Sequence, residues 1–271
     1  MPAGVLARLS GRNRMAEDLW ISTAAGRLYA RRWRGAEAGS GAPIVLFHDS
    51  LGAVSLWRDF PENLARATGR DVIAYDRLGF GLSDPHPGKL GPGFVEAEVD
   101  AFAALHEQLG LDAFVAFGHS VGGAMASNVA AAYPQACRAL ITESAQAFVE
   151  DRTLNGIRAA DVSFAEAGQL DRLARYHGDK AEWVLRAWVD TWLSDAFQGW
   201  SLTDVLPRVT CPALAIHGDD DEYGSLEHPR RFASLTPHAA PPFIVTGCGH
   251  VPHREKQQAV VDAVAGFLKA V

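Results

Sequence analysis

Short unbroken apolar runs recur along the chain, each bounded by turn-forming residues and followed by a stretch with helical spacing. Ile44–Phe47, Val72–Tyr75, Phe114–Phe117 and Ala139–Thr142 are runs of this kind, the pattern of strands buried on both faces. Between them, Leu56–Thr68 carries Leu56, Trp57, Phe60, Leu64 and Ala67 near helical spacing. Val95–Leu109 and the alanine-rich Ala124–Tyr133 also predict helices, the second stopped near Pro134. Ahead of these, segments 18–23 and 27–34 alternate around Gly26 as a hairpin does. After Pro212 the pattern resumes with a strand at Leu214–Ile216 and a helix around Pro229–Leu235. A strand at Phe243–Val245 and a terminal helix from about Glu255 follow.

From about Phe148 to Leu206 the alternation stops. This stretch has only amphipathic helical segments, with Trp183, Trp188, Trp192 and Trp200 among them. Strands alternating with helices imply an α/β fold, a mostly parallel central sheet with helices on both faces. Right-handed crossovers would line the strand C-termini along one edge, where such sheets place their sites. The expected organisation is a core of residues 15–147 and 207–271 with an inserted helical cap, residues 148–206, over that edge. Residues 1–14 carry Arg8, Arg12 and Arg14 and no acid, and are expected to form a flexible extension, with Met15 as an alternative start.

Charge and cysteine content narrow the function. Across 271 residues, 25 basic against 32 acidic side chains give −7, with no Lys/Arg block. That balance offers no electrostatic footprint for nucleic acid. No apolar run reaches the roughly 18 residues of a membrane span. The cysteines Cys137, Cys211 and Cys248 are too few and scattered for a disulfide framework or a CxxC metal site, which points to a reducing cytoplasm.

Gly118-His119-Ser120-Val121-Gly122 matches GxSxG between a predicted strand and a predicted helix. A serine nucleophile needs a tight, strained turn there, and small flanking residues let the backbone cross itself. The helix start would also aim N–H groups at developing negative charge. A serine hydroxyl further requires a base and an acid that orients it. His250, on a loop after the strand Phe243–Val245, is the candidate base, with His253 as its rival. The spacing His250-x-x-His253 also invites a metal reading, but neither HExxH nor a third ligand accompanies it. For the acid, Asp219, Asp220 and Asp221 follow one strand end, and Glu143 at another competes.

Together these residues resemble the α/β-hydrolase superfamily over roughly residues 18–271. His48-Asp49-Ser50-Leu51-Gly52 is similar to its HG-x-x-G oxyanion loop, and Asp76–Ser83 to its D-x-R-G-x-G-x-S turn. Gly218–Asp221 resembles the G-x-x-D segment, and Gly249-His250 the family's C-terminal G-H. The resemblance implies an α/β-hydrolase fold in which Ser120, His250 and Asp221 form the triad in the chain order Ser–Asp–His. It also implies that the backbone N–H groups of Ser50 and Val121 form the oxyanion hole, with no metal or organic cofactor. One residue departs from the family pattern. Asp49 stands where glycine is usual, and a carboxylate there would oppose an oxyanion unless it is paired or turned away.

Within the superfamily the chain resembles the capped esterase and carbon–carbon hydrolase group. A serine at the elbow argues against the dehalogenases and epoxide hydrolases, which use aspartate. The expected activity is hydrolysis of a small carboxylic ester. The alternatives are a carbon–carbon hydrolase of a dienoic ketone and a ligand receptor that retains the triad. Trp183, Trp188 and Phe148 are the candidate substrate-binding residues, against a role in packing cap helices onto the core. Arg152, Arg158, Arg172 and Arg175 fit a solvated helical face better than an anion site.

Overall fold

The computed structural model describes residues 16–35 and 41–271, so the expectation for residues 1–14 lies outside it. Eight strands form one sheet: β1 (Ala16–Thr23), β2 (Gly26–Trp33), β3 (Ile44–Phe47), β4 (Val72–Tyr75), β5 (Phe114–His119), β6 (Cys137–Glu143), β7 (Ala213–Gly218) and β8 (Phe243–Val245). Their order is β1-β2-β4-β3-β5-β6-β7-β8. The hairpin β1–β2 runs antiparallel at one edge, and β4, β3, β5, β6, β7 and β8 pair in parallel.

The four apolar residues of β3 and of β4 are all buried, as the unbroken runs require. Successive side chains leave opposite faces. Val45 and Phe47 join Ile73, Tyr75, Ala116 and Leu140 on one face. Ile44 and Leu46 join Val72, Ala74, Val115 and Ile141 on the other. Helices α2 (Phe94–Leu109) and α3 (Val121–Ala132) cover the first face through Phe102, Leu105, Met125 and Val129. The second face is covered by α1 (Phe60–Thr68), through Phe60 and Leu64, and by the terminal helix, through Val260 and Val264.

The predicted helix Leu56–Thr68 is broken in two. A 3₁₀ turn spans Val54–Trp57, Arg58 takes φ 54°, and α1 starts only at Phe60. Pro61 accounts for the break, because its ring has no N–H and excludes the carbonyl of Trp57 four residues back. Cys137 and Cys211, 74 positions apart, bring their Sγ atoms to 3.8 Å as buried free thiols.

Between β6 and β7 the chain adds α4 (Asp151–Phe164), α5 (Gln169–His177) and α6 (Ala181–Trp192) and, among the described residues, no strand of the sheet. An isolated bridge between Phe148 and Ser201 joins the two ends of this insertion. After β7 come α7 (Glu227–Leu235), then α8 (Pro252–Glu255) and α9 (Gln257–Leu268) behind β8. Among the described residues, no helix is long and apolar enough to cross a membrane.

Candidate active site

β5 runs directly into Ser120, which caps α3 in a backbone conformation with φ 55° and ψ −129°. Non-glycine residues enter this region at a cost of roughly 1–3 kcal/mol, and do so mainly at functional turns. The neighbouring glycines make the turn possible. A Cβ on Gly118 would lie 2.1 Å from the Gly122 carbonyl oxygen, and one on Gly122 would lie 2.1 Å from that of Phe47. The elbow is therefore wedged against the end of β3, where the His48–Gly52 loop begins. The Ser120 N–H donates to the Glu143 carbonyl at 2.9 Å, tying the turn to β6.

Three side chains from three strand ends meet here. Ser120 Oγ lies 3.0 Å from His250 Nε2, and His250 Nδ1 lies 2.8 and 2.9 Å from the two carboxylate oxygens of Asp221. The Asp221 side chain is fully buried. Its Oδ1 also accepts the N–H groups of Tyr223 and Gly224, and its Oδ2 lies 3.3 Å from His217 Nε2. Burial pushes this carboxyl up, but His250, His217 and the Tyr223 N–H outweigh burial and hold it below the usual carboxylate range.

The competing acids are occupied elsewhere. Glu143 Oε2 takes His253 Nδ1 at 2.5 Å, which gives the rival histidine a different partner from His250. Asp219 Oδ1 accepts the Gly247 N–H, and Asp220 is exposed. His119, Glu143 and His253 also place ligand atoms within 4.8 Å of one another. Glu143 and His253 are already paired there, and His119 Nε2 donates to the His250 carbonyl at 2.8 Å.

Ser50 lines the cavity at Ser120, and Val121 opens α3 immediately after it. Among the described residues neither backbone N–H has an acceptor. Asp49, the departure from the family pattern, is paired. Its Oδ1 accepts the Leu51 N–H at 2.8 Å, and its Oδ2 lies 3.3 Å from His119 Nδ1. Burial raises this carboxyl, yet His119 and the Leu51 N–H more than compensate and hold it far below the ordinary range.

The cavity has a volume of about 150 Å³, below the range of roughly 300–1,000 Å³ for drug-sized ligands. Its walls include Leu51, Ile157, Trp188, Trp192 and Val251, with Gln146 and Tyr223 as polar members. Of the aromatics expected to bind substrate, Trp188 lines this space; Trp183 and Phe148 do not. Trp183 packs on Phe80 and stacks on His86, and its Nε1 donates to the Gly88 carbonyl. Phe148 lies against His228 under the Arg231 guanidinium. Helical spacing distinguishes them, because Trp188 and Trp192 are four apart on one face of α6 whereas Trp183 is five from Trp188. Ile157 and Thr153, four apart on α4, join the same wall by the same rule.

A family model described as the alpha/beta hydrolase fold matches residues 42–257, and the chain belongs to that family. It is 27% identical over 271 residues to a proline iminopeptidase of Lactobacillus delbrueckii subsp. bulgaricus, covering 86% of this chain and 91% of that protein. It is 26% identical over 257 residues to the 2-hydroxy-6-oxo-2,4-heptadienoate hydrolase of Pseudomonas putida, with 86% and 91% covered. A thermophilic esterase from Thermogutta terrifontis matches with a TM-score of 0.71 at 22% identity, over 94% of this chain and 98% of that one. That likeness shows the fold. With peptidase and carbon–carbon hydrolase relatives, the protein is a hydrolase.

Proposed function

We propose that the protein is a serine hydrolase that cleaves a small carboxylic ester through an acyl-enzyme. The observation that carries this reading is the contact chain Ser120 Oγ–His250–Asp221, at 3.0 and 2.8 Å, beside a cavity of about 150 Å³. Ser120 Oγ attacks the acyl carbonyl while His250 Nε2 takes its proton. Asp221 keeps the other proton on Nδ1 and stabilises the imidazolium. The Ser50 and Val121 N–H groups receive the oxyanion, each worth about 3 kcal/mol. His250 then protonates the departing alkoxide, and water, deprotonated by His250, releases the acid. These steps draw on no metal or organic cofactor.

Residues 148–206 act in this reading as the cap, with Trp188 and Trp192 limiting the acyl group to a short chain. The three free thiols fit work in the cytoplasm. A second reading, cleavage of a carbon–carbon bond in a dienoic ketone, draws support from the Pseudomonas putida relative and uses the same residues. Hydrolysis of p-nitrophenyl esters of graded acyl length by the wild type and Ser120→Ala tests the proposal. The expected result is turnover by the wild type alone, highest for the shortest chains. Equal rates for both proteins would remove Ser120 from the mechanism, and inactivity of both would move weight to carbon–carbon cleavage.

A further inference from the structure

The residue before the nucleophile is in a position that simple packing does not explain. His119 is 1% exposed, with a backbone carbonyl beside one ring nitrogen and a carboxylate near the other. Nε2 lies 2.8 Å from the backbone carbonyl of His250, an oxygen that can only accept, so this nitrogen carries a proton. Nδ1, which has no aligned hydrogen-bond partner among the described residues, lies 3.3 Å from Asp49 Oδ2, an ion-pair distance at which the carboxylate favours a positive ring over a neutral one. The other titratable groups around the ring come from β6, α8 and the loop after β8. They are Glu143, His253, whose ring is 4.9 Å away at a right-angled tilt, and His250, whose ring is 5.2 Å away. Trp57 closes the remaining side. Burial disfavours a charge on His119, but Asp49 and Glu143 outweigh it and raise its pKa above the ordinary histidine value.

These contacts connect the two halves of the site. On one side His119 grips the backbone of the residue that takes the Ser120 proton. On the other it holds Asp49, whose second oxygen fixes the Leu51 N–H and thereby the loop that bears Ser50. We propose that His119 is a positioning residue, present as an imidazolium, which couples the His250 loop to the oxyanion loop, and that Asp49 replaces glycine in order to hold that charge. The bridge rests on Ser120 and His250 acting as nucleophile and base. It gives Asp49 a role compatible with an adjacent oxyanion, because its charge is balanced by that of His119 even though both residues line the cavity at Ser120.

The sign of the pH dependence follows from the bridge. The bridge is intact below the raised pKa of His119 and is lost as pH rises through it. Asparagine at position 49 keeps an oxygen for the Leu51 N–H and offers an N–H to a neutral His119 Nδ1, preserving a link without charge. Glycine removes the link. Two readouts on the full chain separate these cases. The first is imidazole ¹⁵N NMR, which reports the protonation of His119 without any substrate. The second is the rate of Ser120 phosphonylation by a fluorophosphonate from about pH 6 to about pH 10.

The expected results are a doubly protonated His119 in the wild type near neutral pH and a singly protonated ring in Asp49→Asn. The wild-type labelling rate rises as His250 loses its proton and then falls on an alkaline limb, which Asp49→Asn lacks. Asp49→Gly is slower by about 10–100-fold at every pH, the scale of a misplaced reacting group, and Asp49→Asn recovers most of that loss. A singly protonated His119 in the wild type would overturn the proposal. So would an alkaline limb that persists in Asp49→Asn, or an Asp49→Gly that labels as fast as Asp49→Asn. If the wild type is not labelled at Ser120, the serine-hydrolase reading fails, and the NMR arm still decides the charge and partner of His119.

Discussion

Replacing Asp221 with asparagine tests the assignment of the acid most sharply, because the structure dictates how the amide must sit. Asp221 Oδ1 accepts two backbone N–H groups, from Tyr223 at 2.8 Å and Gly224 at 3.1 Å, so the amide oxygen has to take that position. The amide NH₂ then falls where Oδ2 faces His250 Nδ1 at 2.9 Å and His217 Nε2 at 3.3 Å. The amide oxygen, 2.8 Å from Nδ1, is already shared by the two backbone N–H groups. The NH₂, in contrast, opposes an Nδ1–H and donates to a bare Nδ1, so His250 is driven toward the tautomer protonated on Nε2. That nitrogen, 3.0 Å from Ser120 Oγ, then has no lone pair for the serine proton. The equivalent change in a serine protease triad costs about 10⁴ in kcat, or about 5 kcal/mol of barrier. The assay is initial-rate hydrolysis of p-nitrophenyl acetate, with circular dichroism to check that the variant folds. The companion variant Glu143→Gln loosens the pair with His253, lowering the melting temperature while kcat falls less than about tenfold. Retention of a tenth or more of kcat by a folded Asp221→Asn would refute the reasoning.

Cavity geometry makes Trp188→Ala widen acyl selectivity, raising the octanoate-to-acetate ratio of kcat/KM by roughly 10-fold. Trp183→Ala leaves that ratio unchanged, and the same shift in both variants would contradict the placement of the wall. Burial pushes the His228 imidazole down to about 4, and its Nδ1 already accepts the Ala147 N–H at 3.1 Å. A folded pKa below the unfolded value of about 6.5 gives stability that is complete above that pH and lost as pH falls toward 4. At about pH 5 the loss is about 2 kcal/mol, or roughly 4–8 °C in melting temperature. Burial shifts His48, His177, His217 and His253 in the same direction. A melting temperature that is flat between neutral pH and about pH 5 would contradict this.

The parallel strands were legible in the sequence because burial on both faces leaves β3 and β4 as uninterrupted apolar runs. The elbow was legible for a different reason: two glycines on either side of Ser120 answer a backbone crossing that no side chain tolerates. Where several residues of one type compete, local pattern decides less. Asp219, Asp220 and Asp221 are neighbours with equivalent chemistry, and only tertiary contacts turn one of them toward His250. The partner of Glu143 lies 110 positions away. The orientation of the insertion's aromatics was half visible, since the four-residue spacing of Trp188 and Trp192 defines a face but not what it faces. The nearness of Cys137 and Cys211 follows from β6 lying beside β7, a neighbourhood that no local signal announces. The pairing of Asp49 with His119 was hidden too, because it joins the loop after β3 to the last residue of β5, an approach that depends on the finished sheet.

The central claim is that an acyl group is carried on Ser120. Mass spectrometry of the protein, acid-quenched during turnover of p-nitrophenyl acetate and digested, tests it most directly. The account predicts an acetyl adduct on the peptide that contains Ser120, accumulating in the wild type and absent from Ser120→Ala together with the turnover. Undiminished turnover in Ser120→Ala, with no adduct at Ser120 in the wild type, would contradict it.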